Sequence, residues 1–161
     1  MVALGGGHGL AASLQALRQV TDDLTAIVTV ADDGGSSGRL RDELAMLPPG
    51  DLRMALAALS AEDEWSQTWS RLLQHRFGGD GPLAGHAVGN LMLAGLAETT
   101  GMVAALDLVG RLVGAHGRVL PASTTPLQIV AEVVGLDPAD RSAITEVTGQ
   151  VAVATTTGDV C

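Results

Sequence analysis

The stretch VALGGGHGL, residues 2–10, decides the fold. A short aliphatic run leads into a glycine-rich turn, and apolar residues then recur at helical spacing through Val20, which predicts a strand, a turn and an amphipathic helix. Residues 24–30, LTAIVTV, are β-branched and nearly all apolar, which is typical of a strand covered on both faces in a parallel sheet. The order βαβ predicts an α/β, Rossmann-like parallel sheet with flanking helices.

The middle of the chain is predicted to be helical. A Ser-x-x-Asp signal at residues 60–63 marks a helix start, and Trp65 and Trp69 then fall on one helical face, where we expect both in the core. Residues 86–98 and 102–113 indicate two more apolar helices, separated by a glycine.

The last third is strand-like at residues 119–120, 127–134 and 144–155. Between the last two segments, Asp137 followed by proline predicts a cap and one short helical turn. The chain ends soon after this strand-like sequence without a closing helix. We therefore expect a sheet that is incomplete at its C-terminal end.

Composition narrows the class of protein. The chain has 161 residues, of which 47% are hydrophobic and 17% charged, which fits one soluble globular domain and excludes disorder. Aromatic residues are only 2%, so the core is predicted to be aliphatic. Polar residues such as Asn90 and Asp107 interrupt the most apolar segments, so we expect no membrane insertion.

Charge and cysteine content exclude further functions. The net charge is -9 and every basic residue is Arg, so we expect no nucleic-acid surface. The single cysteine, Cys161, can form neither an internal disulfide nor a zinc cluster. No targeting signal is visible at the N-terminus, which predicts a cytoplasmic location.

The glycine turn is the first candidate binding element. Glycines let the backbone approach a phosphate closely, and the helix that follows offers free N–H groups. The match to G-x-G-x-x-G is incomplete because Leu10 stands where the third glycine would be, so a purely structural turn is the alternative. His8 either contacts a ligand or caps the helix. The candidate residues are Gly5, Gly6, Gly7, His8 and Gly9.

The second candidate element follows the second strand, where the carboxyl ends of parallel strands form a ligand crevice. Adjacent carboxylates here suit ribose hydroxyls or a divalent metal such as Mg²⁺, and capping of the next helix is the alternative. The glycines allow the backbone to turn, the serines supply donors, and the arginine supplies charge for a diphosphate. The candidates are Asp32, Asp33, Gly34, Gly35, Ser36, Ser37 and Arg39, with Asp32 and Asp33 as the metal candidates.

Two shorter candidates complete the set. Asp51 and Arg53 follow a Pro-Pro-Gly turn and are ligand-binding candidates, with Asp51 serving either as a helix N-cap or in a catalytic or metal role. His86 and Asn90 are four residues apart, so we expect them on one face of a helix. A polar pair on an apolar helix needs partners, which are either a ligand or hydrogen-bonding groups of the core.

Four motifs carry a resemblance to a known family. Residues 4–9, 31–41, 47–53 and 85–91 together resemble the YvcK family, the gluconeogenesis factors of the CofD-like superfamily. The motif at residues 31–41 is the most specific, while His8 stands where the family often has Thr. Family members continue for about as long again, so the resemblance implies that residues 1–161 are the N-terminal portion of a single nucleotide-binding domain.

The resemblance implies a function as well as a fold. The resemblance implies binding of a UDP-sugar such as UDP-N-acetylglucosamine and a regulatory part in carbon metabolism (gluconeogenesis), cell-wall synthesis and cell shape. It implies no catalysed reaction, which favours a binding protein over an enzyme. The alternative is an enzyme like 2-phospho-L-lactate transferase of coenzyme F420 biosynthesis, whose loop after the acidic residues differs from GGSSGRLR. The resemblance is compatible with bound Mg²⁺ and with a homo-oligomer.

Overall fold

A computed structural model describes residues 1–161 and contains seven helices and six strands in two sheets. The helices are α1 Gly7–Leu17, α2 Gly35–Leu44, α3 Gly50–Leu59, α4 Glu64–Gln74, α5 Val88–Thr100, α6 Met102–Leu112 and α7 Gln150–Thr155. The strands are β1 Val2–Gly5, β2 Thr25–Val28, β3 Arg118–Pro121, β4 Val130–Val134, β5 Ile144–Thr148 and β6 Asp159–Val160. None of the helices is both long and apolar enough to cross a membrane.

The first sheet has the order β1-β2-β3, and all its strands are parallel. Val2 lies opposite Thr25, and Val28 lies opposite Pro121. Helix α1 connects β1 to β2, while α2 to α6 form the connection between β2 and β3. The α/β class with a parallel sheet and flanking helices is confirmed.

Burial along β2 alternates instead of being continuous. Ala26 and Val28 are fully buried, whereas Thr25 and Ile27 are only half-buried. On the adjacent edge strand, the alternate residue Leu4 is 74% exposed. The expectation that this segment is covered on both faces is therefore wrong, because the helices that bury the core pack against one face of the sheet.

The core is aliphatic, as the composition predicts: its 19 clustered buried residues are all Leu, Val or Ala. The prediction that both tryptophans belong to it is wrong. Trp65 is 62% exposed, and its indole N–H donates to the surface carbonyl of Leu112 at 3.1 Å. Trp69 is partly buried and packs against the edge of the core.

Two helix starts differ in detail from the prediction. Helix α4 is capped by Asp63, whose Oδ1 accepts from the Ser66 N–H at 3.0 Å, so Asp63 is the cap within the predicted signal. Helix α5 begins at Val88. His86 therefore precedes the helix, and the prediction that His86 and Asn90 share a helical face is wrong.

The C-terminal part forms a separate sheet. Strands β5, β4 and β6 lie in that order and are antiparallel. The strand predicted to reach residue 155 ends at Thr148, since Gly149 turns the chain with a φ of 104° into α7. No helical turn follows Asp137, because its Oδ1 accepts from the Ala139 N–H at 2.8 Å and closes a tight turn instead.

Candidate functional site

The candidate site lies at the carboxyl edge of the parallel sheet, where the loops after β1 and β2 run side by side. The Thr29 N–H donates to the Gly5 carbonyl at 2.8 Å and holds these two loops together. Beyond them, α1 and α2 begin, and α3 begins close to both. The N-termini of three helices therefore meet at this edge.

A polar cavity of about 810 Å³ opens among these helix ends, and we call it the loop cavity. Nine predicted site residues line it: Asp32, Asp33, Gly34, Gly35, Ser36, Ser37, Arg39, Asp51 and Arg53. Only two of the residues that line it are hydrophobic. Its walls therefore suit a charged and hydroxylated ligand.

Helix α2 offers uncapped N–H groups to this cavity. Gly34 is its N-cap residue and no side chain caps the helix. The first N–H groups of a helix have no partner within it and carry partial positive charge. Because Gly34 through Gly38 line the cavity, the end of α2 is suited to bind an anion.

The other two helix N-termini are engaged by protein groups. The Gly50 N–H at the start of α3 donates to the Ser37 hydroxyl at 3.1 Å. The Asp51 carboxylate faces the start of α1, where the Gly7 N–H lowers the pKa of that carboxyl. Asp51 is the second residue of α3 and Pro49 is the N-cap, so the interpretation of Asp51 as the N-cap of its own helix is wrong.

Two glycines are required by the geometry of the α2 loop. Gly35 has a φ of 51°, a left-handed conformation that side chains other than glycine rarely adopt. A Cβ on Gly38 would overlap the backbone carbonyl of Asp33. The glycines of this motif therefore allow the chain to turn tightly and α2 to start close to the strand end.

The adjacent carboxylates have different partners. Asp32 Oδ1 accepts from the Gly34 N–H at 3.0 Å at the start of α2, whereas Asp33 Oδ1 accepts from the Val151 N–H at 2.9 Å, at the start of α7. Asp32 thus bonds to the N–H of the N-cap residue Gly34 itself and does not cap α2, whose first turn has no side-chain cap. Asp33 caps a helix more than a hundred residues away.

Asp51 is the carboxylate that interacts with Asp32. Burial raises the pKa of Asp51, and the charge of Asp32 adds to this effect, although the Gly7 N–H opposes it. Two neighbouring carboxylates fit Mg²⁺, which usually takes one or two carboxylates together with water and ligand phosphates. The structure contains no group of three acidic, histidine or cysteine side chains that could hold a metal ion. Phosphates and water would therefore supply the remaining ligands of a Mg²⁺ ion.

Arg53 is a buried cation at the back of the loop cavity. Its residue is only 3% exposed, and its Nε has no hydrogen-bond partner. Burial, followed by the charge of Arg76, lowers the pKa of Arg53 to about 10. Arg39 lies at the rim instead, where it is exposed and donates to the Ala84 carbonyl at 2.7 Å.

His86 and Asn90 lie behind the cavity wall. The Ser36 hydroxyl contacts His86 Nδ1 at 3.0 Å and accepts from Asn90 Nδ2 at 2.9 Å. All three residues are buried, but only Ser36 lines the cavity. His86 and Asn90 therefore belong to a core hydrogen-bond network, which was the alternative to ligand binding. Ser36 connects this network to the cavity.

The first glycine turn lies next to the loop cavity without lining it. Gly5, Gly6, Gly7 and Gly9 are absent from its walls, but a Cβ on Gly6 would overlap the side chains of Thr29 and Asp51. His8 is exposed and lines a second cavity of about 1100 Å³ between α1, α3 and α4, which we call the helix cleft.

Sequence reasoning missed two charged residues of the site, Asp42 and Arg76. Arg76 lines the loop cavity, and its guanidinium donates to the Gly85 carbonyl at 2.7 Å. Arg76 is far from every glycine-rich motif that drew attention to the other residues. The short bridge between Arg76 and Ala87 is what brings it to the site, and no local pattern predicts that pairing.

These features define the class of protein: an α/β protein with a polar, glycine-lined cavity at the carboxyl edge of a parallel sheet. The family model described as "2-phospho-L-lactate transferase CofD" matches residues 1–159, and the chain belongs to the CofD family. It is 60% identical to the "Putative gluconeogenesis factor" of Mycobacterium tuberculosis over 161 residues, which are 99% of this chain and 47% of that protein. The "Gluconeogenesis factor" of Bacillus subtilis is 46% identical over 129 residues, 80% of this chain and 40% of that one.

Solved structures agree with the fold. A crystal structure of a UPF0052 family protein from Bacillus halodurans superimposes with a TM-score of 0.84 and 38% identity, covering 99% of this chain and 48% of that chain. The predicted resemblance to gluconeogenesis factors of the CofD-like superfamily is thus confirmed. The chain spans about half the length of the relatives it matches. Its assignment to a single nucleotide-binding domain stays a prediction.

Proposed function

We propose that this protein is a regulatory protein of carbon metabolism that binds a nucleotide sugar of the UDP-N-acetylglucosamine type in its loop cavity. The observation that carries the proposal is the uncapped N-terminus of α2, whose free N–H groups line that cavity. The other two helix ends at this edge are engaged by Ser37 and Asp51, which leaves α2 to receive a diphosphate.

The charges around α2 support the same ligand. Arg53 is buried with its Nε unpaired, and Arg39 stands at the rim, so both can neutralise a diphosphate. Asp32 and Asp51 offer carboxylates for ribose hydroxyls or for Mg²⁺ held between protein and phosphates. The volume of about 810 Å³ suits a ligand of nucleotide-sugar size.

The biological role rests on the relatives. The names of the Mycobacterium and Bacillus proteins support a role in gluconeogenesis. Roles in cell-wall synthesis and cell shape, a cytoplasmic location and self-association are further parts of the proposal. The roles and the cytoplasmic location follow from the family resemblance.

Calorimetric titration with UDP-N-acetylglucosamine, UDP and UTP tests the binding proposal. We expect a measurable affinity for at least one of them, weakened in Arg39→Gln. Arg41→Gln is the matched control, because Arg41 is on the same helix and lines neither the loop cavity nor the helix cleft. Absence of binding to all three ligands by folded protein would overturn the proposal.

A transferase acting on a phospholactate-type substrate is the second candidate function. It is favoured by the description of the family and by the proximity of Asp32 to Asp51, which suits Mg²⁺-assisted phosphate chemistry. Turnover distinguishes the two functions. Phosphorus NMR of a phospholactyl donor mixed with a hydroxyl-bearing acceptor, Mg²⁺ and catalytic amounts of protein shows the phosphorus signal of the donor replaced by that of the acceptor product for a transferase, whereas a binding protein leaves the spectrum unchanged.

A further inference from the structure

The helix cleft is larger than the loop cavity and has a different electrostatic character. It lies between α1, α3 and α4 and has a volume of about 1100 Å³. Six basic side chains line it: His8, Arg18, Arg53, Arg71, His75 and Arg76. None of its lining residues is Asp or Glu.

This concentration of arginine is unusual for so acidic a chain. The protein has 18 acidic residues, only nine arginines, no lysine and a net charge of -9. Four of the nine arginines line one cleft from which carboxylates are absent. Positive charge is thus concentrated in this cleft without neighbouring carboxylates, and low-dielectric walls strengthen its attraction for an anion.

Most of this charge lacks a counter-ion in the protein. Arg18 pairs with Glu62 at 2.7 Å. Arg53, Arg71 and Arg76 have no carboxylate within salt-bridge distance.

Arg53 provides the independent evidence for a ligand. It is buried, its Nε has no hydrogen-bond partner, and it lines the helix cleft as well as the loop cavity. A buried cation without a partner is costly, and the neighbouring Arg76 adds repulsion that lowers its pKa. A bound anion would remove both penalties at once.

We propose that the helix cleft is a second ligand site, which binds a small metabolite with two or more phosphate or carboxylate groups. Arg53, Arg71 and Arg76 neutralise the anionic groups, and the side-chain amides of Gln15 and Gln74, which also line the cleft, bind the uncharged polar groups of the ligand. The site adjoins the nucleotide-sugar site, and the two cavities share Arg53, Met54 and Arg76 as lining residues.

Titration with pyrophosphate and, separately, with citrate tests the proposal for the two anion chemistries. Two-dimensional ¹H–¹⁵N NMR of the protein follows the side-chain amides of Gln15 and Gln74 as reporters of the helix cleft. The backbone amides of Gly34 through Ser37 report on the loop cavity. We expect at least one probe to shift the two glutamine signals with saturation.

Arg71→Gln is the test variant, since Arg71 lines the helix cleft but not the loop cavity. We expect the dissociation constant of this variant for the bound probe to rise about tenfold, because one charge-assisted hydrogen bond is lost. Arg141→Gln removes the same charge from an exposed loop outside both cavities and should change affinity less than about twofold.

Three outcomes would overturn the proposal: neither probe binds, the probes shift only the α2 amides, or the two variants weaken binding equally. Titration of Arg71→Gln with UDP-N-acetylglucosamine distinguishes a failure of this proposal from a failure of the proposed function. We expect that affinity to be unchanged by the substitution. Failure of the nucleotide-sugar proposal would leave the glutamine shifts and their dependence on Arg71 intact.

Discussion

Ser36 Oγ lies 3.0 Å from His86 Nδ1 and joins the first turn of α2 to the segment that leads into α5. Asn90 donates to the same hydroxyl. Burial lowers the pKa of His86, with a further contribution from Arg39, so the neutral imidazole is favoured. Neutral Nδ1 can accept the hydroxyl hydrogen of Ser36. The uncapped end of α2 is therefore fixed in place from behind by a buried network.

Ser36→Ala should destabilise the protein. The substitution leaves His86 Nδ1 and Asn90 Nδ2 buried without their partner, which costs about 1–3 kcal/mol in the free energy of unfolding. Urea denaturation measures this change. Ser13→Ala removes only an exposed bond within α1 and should cost less than about 0.5 kcal/mol. Equal effects of the two substitutions would show that the network contributes nothing to stability.

His86 should make stability depend on pH below neutrality. Its folded-state pKa is lower than the ordinary value of 6.5, so the unfolded chain takes up the proton first as pH falls. The stabilisation is complete above pH 6.5 and is lost as pH falls towards the depressed folded-state pKa. Melting temperatures between pH 7.5 and 5 should thus fall less in His86→Gln than in the wild type, while the exposed control His75→Gln should follow the wild type.

Asp51→Asn should stabilise the protein while weakening ligand binding. The pKa of Asp51 is raised by burial and by Asp32, so its charged form is disfavoured in the fold at pH 7. Removing that charge should raise the melting temperature by up to a few degrees, and the gain should shrink as pH falls through the raised pKa. Thermal scans between pH 7 and 4 measure this. Affinity for a Mg²⁺-nucleotide should fall in the same variant.

The exposed Asp80→Asn is the matched control for Asp51. It should change neither the melting temperature nor the affinity. A lower melting temperature for Asp51→Asn would show that its bond to Gly7 outweighs the cost of its charge.

Asp33 should hold α7 in place. Asp33→Ala removes the carboxylate that accepts from the Val151 N–H. Because one hydrogen bond to a charged group is lost, amide hydrogen exchange at residues 150–155 should accelerate about tenfold. The global melting temperature should change little, because α7 buries no residue. Asp137→Ala is the control, since it breaks a similar turn at Ala139 outside α7. Unchanged exchange at Val151 would contradict the capping role.

The parallel sheet could be predicted because its signals are local. Residues 2–10 alone contain a strand, a glycine turn and the start of a helix, and the loop at 31–38 follows the next strand directly. Carboxyl ends of parallel strands share one edge, so these two loops had to lie close together. Seven predicted residues of the second loop line one cavity together with Asp51 and Arg53, and the first glycine turn lies beside it.

The C-terminal part could not be predicted in the same way, because its structure depends on distant partners. Residues 150–155 combine Val, Ala and Thr, a composition that fits a strand as well as a helix over so short a length. The hydrogen bond from the Val151 N–H to Asp33 favours helix α7, and Asp33 lies in the N-terminal part of the chain. Arg76 likewise reaches the site through a bridge to Ala87 that no periodicity indicates.

Two glycines of α5 should respond to substitution with opposite signs. A Cβ on Gly89 would lie 2.8 Å from the Leu73 carbonyl oxygen and 2.9 Å from the aliphatic part of Arg53. Backbone and a buried arginine cannot move away freely, so Gly89→Ala should cost about 1–3 kcal/mol by overpacking. Gly95 lies on the exposed side of the same helix with no atom within 4 Å of its added Cβ. Gly95→Ala should therefore stabilise the protein by about 0.5–1 kcal/mol through helix propensity alone.

The Gly89 substitution should also affect the site, because it displaces the stem of Arg53. We expect Gly89→Ala to weaken nucleotide-sugar binding at a temperature where the variant is still folded, whereas Gly95→Ala should bind like the wild type. Urea denaturation gives the stabilities and calorimetry gives the affinities. If Gly89→Ala were as stable as Gly95→Ala and bound ligand equally well, the close packing of α5 against Arg53 would have no part in positioning that guanidinium.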